Sequence, residues 1–100
     1  MSKTKTEVLV LLQFDGGKNR ERFDAYLKDE GFDTIEGEAD AYMGFSTTPV
    51  FNTRAYIFEV FSKAFAIAEI EQCKLICQIG GNEFEGYEYK KDGSFKEIAI

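Results

Sequence analysis

The chain reads as an α+β domain. An early apolar run of strand length, a short amphipathic stretch ending at Gly31, and two strand-like runs around Asp92-Gly93 support this class. Strand-length runs alternating with helical stripes predict helices packed on one face of a sheet.

Residues 7–14 (EVLVLLQF) form a continuous apolar run with β-branched residues, as expected of a central strand buried on both faces. Asp15-Gly16-Gly17 ends it with a turn sequence suited to positive φ. Asn19 can cap a helix over 19–30 with Phe23, Tyr26 and Leu27 on one face. Gly31 suits the position after its end, with Phe32 packing back. A second strand region covers 34–47, interrupted at Gly37 and Gly44, where bulges are expected. Residues 46–52 connect it onward and contain the only proline.

Residues 53–72 are ambiguous, because a single helix there would be apolar on every side and would need burial all round. Splitting the segment removes the conflict. Residues 54–61 then form an aromatic, β-branched strand, and Ser62 caps a helix running to Gln72. A strand over 74–79 follows, and the runs 83–90 and 95–100 flank Asp92-Gly93 as a hairpin. The expected order is β-α-β-β-α-β, a ferredoxin-like sandwich with an added C-terminal β-hairpin, and it depends on 54–61 being extended. Residues 1–6 read as a flexible tail and 7–100 as one domain, with no repeat or linker to divide it. The hairpin is placed to cover a sheet edge or to pair with another subunit.

Composition narrows the functional classes. The 100 residues are 44% hydrophobic and 15% aromatic, which excludes disorder as the main state. No apolar run reaches the roughly 18 residues of a membrane helix, and the polar start lacks a signal-peptide pattern, so a cytoplasmic protein without a membrane role is expected. Histidine is absent, which excludes His-dependent triads and His-ligated zinc. Cys73 and Cys77 are the only cysteines and read as buried thiols. The net charge of −6 opposes a dominant nucleic-acid surface but leaves room for a local basic patch.

Asp15 ends the first strand, where it serves as a turn residue or points a carboxylate at solvent to hold Mg²⁺, one per subunit of a dimer. Lys18, Arg20 and Arg22 open the first helix, either as a solvated face or as contacts to phosphates. Residues 29–40 carry six acids and no base, Glu36, Glu38 and Asp40 among them. That run keeps the protein soluble, binds a cation, or meets a basic protein partner in the manner of an inhibitory module. Tyr42, Phe45, Tyr56, Phe58, Tyr87 and Tyr89 are read either as core or as an exposed aromatic platform.

The run VLVLLQFD from Val8 to Asp15, then Asn19-Arg20-Glu21-Arg22-Phe23, Leu27 and Gly31-Phe32-Asp33-Thr34-Ile35, resembles the opening of the small CRISPR-associated nuclease family. It is similar also to toxin–antitoxin relatives, including antitoxin endoribonucleases. The resemblance implies a ferredoxin-like homodimer acting on RNA. Asp15 would be its metal-associated aspartate, and Arg20 or Arg22 the basic residues of the helix. Glu36-Gly37-Glu38 departs from the family pattern after Ile35. Two alternatives stand beside a metal-dependent endoribonuclease or antitoxin: an acidic binding module without catalysis, and a dimeric small-molecule sensor.

Overall fold

The computed structural model describes residues 5–14 and 17–100. The elements are β1 (Thr6–Gln13), α1 (Arg20–Asp29), β2 (Asp33–Ile35), β3 (Glu38–Ser46), α2 (Val50–Ile67), β4 (Gln72–Ile79), β5 (Glu85–Lys90) and β6 (Phe95–Ile98). The strands form one antiparallel sheet in the order β2-β3-β1-β4-β5-β6. Among the described residues, no helix is long and apolar enough to cross a membrane.

Strand β1 lies in the middle, but only one of its faces is covered. Val8, Val10 and Leu12 enter the core with Phe23 and Leu27 of α1, whereas Leu9 is half-buried and Leu11 is 36% exposed. The expectation of burial on both faces fails because both helices lie on the same side of the sheet. At the end of α1 the sequence reading holds. Gly31 adopts φ 98°, its N–H donates to the Lys28 carbonyl, and Phe32 N–H reaches the Leu27 carbonyl at 2.8 Å, which brings the Phe32 ring into the core. Asn19 precedes α1 in a left-handed conformation and makes no side-chain cap. Its amide donates instead to the Ile67 carbonyl at 3.2 Å, tying α1's start to α2's end.

The expected strand over 54–61 is wrong. Residues Val50–Ile67 form one continuous α-helix, so Ser62 begins nothing; its hydroxyl donates to the Glu59 carbonyl within α2. Thr53, Ile57, Val60, Phe61, Ala64 and Phe65 are buried. The adjacent pairs 60/61 and 64/65 share one side only at helical spacing, because a strand would send their members to opposite faces. The helix does not need burial on every side. Phe51 and Tyr56 stay exposed, at 76% and 42%. Phe58 rests on the terminal hairpin, 4.7 Å from Tyr87 edge-on and 4.6 Å from Phe95 stacked. The missing strand comes from the 34–47 region, which Gly37 (φ 81°) divides into β2 and β3.

The bulge expected near Gly37 appears as a register shift between Thr34 and Ile35. No bulge occurs at Gly44, which pairs regularly with Val8. There a Cβ would lie 2.6 Å from the Gly31 carbonyl oxygen and 3.3 Å from the Phe32 ring. Glycine at 44 therefore lets the α1 cap loop sit directly on β3. The Asp-Gly hairpin forms as expected, with Ser94 N–H donating to Asp92 Oδ1 at 2.9 Å, and it widens the sheet beside β4. Cys73 and Cys77 are buried free thiols on the inner face of β4, and burial pushes both up to about 12.

Gly44→Ala is expected to lower unfolding free energy by about 1–3 kcal/mol through overpacking against backbone, read as a lower urea midpoint with an unchanged m-value.

Candidate functional site

Asp15 lies outside the described residues. Of the basic set, Lys18 is exposed with its Nζ 3.8 Å from Glu69, and Arg22 is exposed on α1. Arg20 is engaged. Its Nη2 donates to Asp40 Oδ1 at 2.7 Å and lies 3.5 Å from the Tyr42 hydroxyl, which itself donates to Asp24 at 2.6 Å. The guanidinium stacks over Phe14 and Phe23, 5.1 and 5.5 Å from their centroids. Burial, then the bond to Asp24, pushes the Tyr42 hydroxyl well above its ordinary range, so it remains a donor. Arg20 and Asp40, which the sequence assigns to rival sites, are thus partners of each other.

The remaining acids are arranged differently. Asp29, Asp33, Glu36 and Glu38 are exposed, and none is ion-paired among the described residues. They follow the end of α1, the edge strand β2 and the turn into β3, and so form an acidic border on one edge of the sheet.

The aromatic platform does not form. Tyr42, Tyr87 and Tyr89 are core residues and Phe58 is half-buried, which leaves Phe45 and Tyr56 exposed. Phe45, between the helix-facing Gly44 and Ser46, sends its ring to the open face of the sheet beneath Lys5, whereas Tyr56, with Phe32 and Glu30, lines a cleft of about 340 Å³ between the end of β3, the cap of α1 and the first turns of α2. Phe32 and Tyr56 stack with centroids 6.3 Å apart. The Tyr56 hydroxyl lies 2.8 Å from Glu30 Oε2 and 3.0 Å from the Glu30 carbonyl. Burial and that carboxylate push the phenol up to about 12, so it stays protonated and holds Glu30 in place. The opposite wall is a ring of hydroxyls, with Thr53 Oγ1 2.6 Å from Ser46 Oγ and 2.9 Å from Thr48 Oγ1. Sequence reasoning placed Tyr56 in an aromatic platform and Glu30 in the acidic 29–40 run but missed their pairing and the hydroxyls, because the 54–61 strand assignment put Tyr56 on the sheet.

A third polar cluster joins α2 to the hairpin. Arg54 binds Glu85 through two bonds of 2.6 and 2.8 Å, and Tyr87 donates to Glu85 at 2.6 Å beside an open recess of about 730 Å³. The Arg54 guanidinium holds the Glu85 carboxyl below the usual carboxylate range.

The resemblance implies Mg²⁺ at Asp15. Among the described residues no group of three or more His, Cys, Asp or Glu side chains is placed to share a metal ion. No family model, curated protein or solved structure matches the chain.

Because the folded Glu85 value is depressed, its contribution to stability is complete above the unfolded value of about 4.3 and is lost as pH falls through the folded one. The wild-type urea midpoint is expected to drop more steeply below about pH 4.3 than that of Glu85→Gln; parallel acid limbs would contradict this.

Proposed function

We propose that this protein is an acidic binding module without catalysis, whose β2 edge meets a basic surface on a partner protein. The observation that carries this is the contrast in charge use. Asp29, Asp33, Glu36 and Glu38 stand exposed without cationic partners among the described residues, while Lys18 and Arg20 are turned toward Glu69 and Asp40. A field of one sign at a sheet edge steers an oppositely charged partner and sets its register. Asp40 is excluded from the contact set, because neutralising it would release Arg20 rather than remove a free charge.

We take the fold as a ferredoxin-like βαββαβ sandwich with a C-terminal hairpin. The insertion of β3 between β2 and β1, and the placing of β4 on the other side of β1, support that assignment. A homodimer through the open sheet face is in keeping with the strip of Leu9, Leu11, Met43 and Ile76 that the registers of β1, β3 and β4 set side by side.

A metal-dependent endoribonuclease or antitoxin is the second reading, favoured by the exposure of Lys18 and Arg22 close in sequence to Asp15. On that reading Asp15→Ala abolishes Mg²⁺-dependent cleavage of mixed RNA with little change in Tm, and undiminished cleavage removes the metal role.

For the binding module, the probe is an acetylated, amidated decapeptide of alternating lysine and glycine. Wild type is expected to bind it in a salt-dependent manner, and Glu36→Gln with Glu38→Gln to weaken binding about threefold to tenfold by calorimetry. Absence of binding by wild type, or equal affinity in the double variant, rejects the acidic edge.

A further inference from the structure

We propose that two copies of this chain pack open sheet face to open sheet face, about a two-fold axis parallel to the strands and lying between β4 and β5. This packing rests on the homodimer reading above and gives it a register.

The strand pairings lay out the open face in rows. Leu11, Ile76, Gly86 and Ile98 form an apolar row across β1, β4, β5 and β6. The next row is polar, with Gln13, Lys74, Glu88 and Lys96 in turn across the same strands. Both rows face away from the helices, because the alternate residues Leu12, Cys73, Leu75, Tyr87 and Tyr89 belong to the core. Leu11 is 36% exposed, and Ile76 and Ile98 are half-buried. At Gly86 a Cβ would lie 3.3 Å from Ile98 Cγ1 and 3.5 Å from Ile100 Cγ2, so those two side chains lie over β5 as one apolar floor. Ile100 on that floor is 67% exposed.

The order of the polar row points to a second copy as the occupant. Lys74, Glu88 and Lys96 stand side by side, yet none is ion-paired among the described residues. A two-fold axis between β4 and β5 sets β4 of one copy over β5 of the other, and β1 over β6, row on row. Lys74 then lies over Glu88 and Glu88 over Lys74, while Lys96 faces the uncharged Gln13. Ile76 meets the floor at Gly86, and Leu11 meets Ile98. An axis on β4 or on β5 would instead set Lys74 on Lys74 or Glu88 on Glu88. One between β1 and β4 sets Lys74 over Gln13 and leaves Glu88 without a cation. Sheets packed face to face cross at about 30°, so the pairings nearest the axis are those that survive the twist. Those are Ile76 with Gly86 and Lys74 with Glu88.

The same axis leaves the acidic borders free. β3 and β2 of each copy project past β6 of the other, which puts the two β2 edges on opposite sides of the dimer, roughly 34 Å apart at about 4.8 Å per strand. A basic partner with repeated sites is then held twice, and two weak contacts combine into a tighter one. Phe45 lies on this overhang and carries its own Lys5 ammonium 5.8 Å from the ring centroid.

The test is sedimentation of the full chain over a concentration series. Wild type is expected to show a monomer–dimer equilibrium below about 1 mM. Ile76→Lys and Leu11→Lys are each expected to shift it at least about tenfold toward monomer, with Tm confirming that each variant folds. Lys74→Glu and Glu88→Lys put like charges across the axis, and each alone is expected to dimerise about tenfold more weakly. Mixed in equal amounts, the two are expected to recover the wild-type equilibrium, since each supplies the charge that the other lacks. Neighbours within a chain do not change on mixing, so recovery reports contact between copies. Glu36→Gln with Glu38→Gln is expected to leave the equilibrium unmoved. A wild type that stays monomeric overturns this packing and the homodimer reading together. Dimerisation weakened by Ile76→Lys and Leu11→Lys but not recovered in the mixture overturns the register and leaves the open face as the interface. A dimer indifferent to Ile76→Lys and Leu11→Lys uses another surface and overturns the proposal.

Discussion

Phe61 and Phe65, one turn apart on α2, hold the rest of the molecule together. Phe61 meets Tyr42 of β3 edge-on at 6.0 Å and Phe32 of the α1 cap at 5.1 Å. Phe65 meets Phe23 of α1 at 6.2 Å, Tyr89 of β5 at 4.6 Å and Phe95 of β6 at 6.4 Å. Two side chains thereby join both helices to strands on either side of β1. Each is fully buried, and burial of such a ring contributes about 1.5–3 kcal/mol before any gain from ring geometry. The Gly44 contact and the seating of Phe58 on the hairpin both follow from α2 lying where these rings require.

That dependence explains what was legible in the sequence. β1, α1 with its Gly31 ending, β4 and the Asp-Gly hairpin are set by local signals, because turn chemistry and apolar runs act over a few residues. Arg54 to Phe61 was misread because its local composition, with Tyr56, Ile57, Phe58 and Val60, favours a strand. The cover that makes it a helix comes from Tyr87 and Phe95, some thirty residues away. The hairpin strands continue the same sheet beyond β4, so the sheet offers α2 a wider floor. The short strand β2 was hidden for a related reason: three residues beside a glycine turn carry almost no periodicity.

The candidate sites show the same division. Charge clusters are visible in sequence, but their use is not. Arg20 and Asp40 are twenty residues apart and became partners only because α1 runs back across β3. The cleft could not be found by scanning, since it draws Glu30 and Phe32 from one segment, Phe45 to Thr48 from a second and Asn52 to Tyr56 from a third. The aromatic residues that looked like a platform were divided by strand alternation, with Tyr42 turned inward and Phe45 outward.

The acidic border also constrains how a partner can approach. An edge strand invites backbone pairing, and natural sheets blunt that tendency with short strands and charge. β2 has three residues, begins with Asp33 and shifts register before its end, while Glu36 and Glu38 flank the turn beyond it. A continuous hydrogen-bonded ladder along this edge would meet that irregularity and those carboxylates, so strand addition is disfavoured. What remains for recognition is side-chain charge on the border. Charge gives rapid, salt-sensitive encounter with many basic surfaces and little discrimination. Any discrimination along this edge would rest on the spacing of Asp33, Glu36 and Glu38, which the turn at Gly37 between β2 and β3 sets.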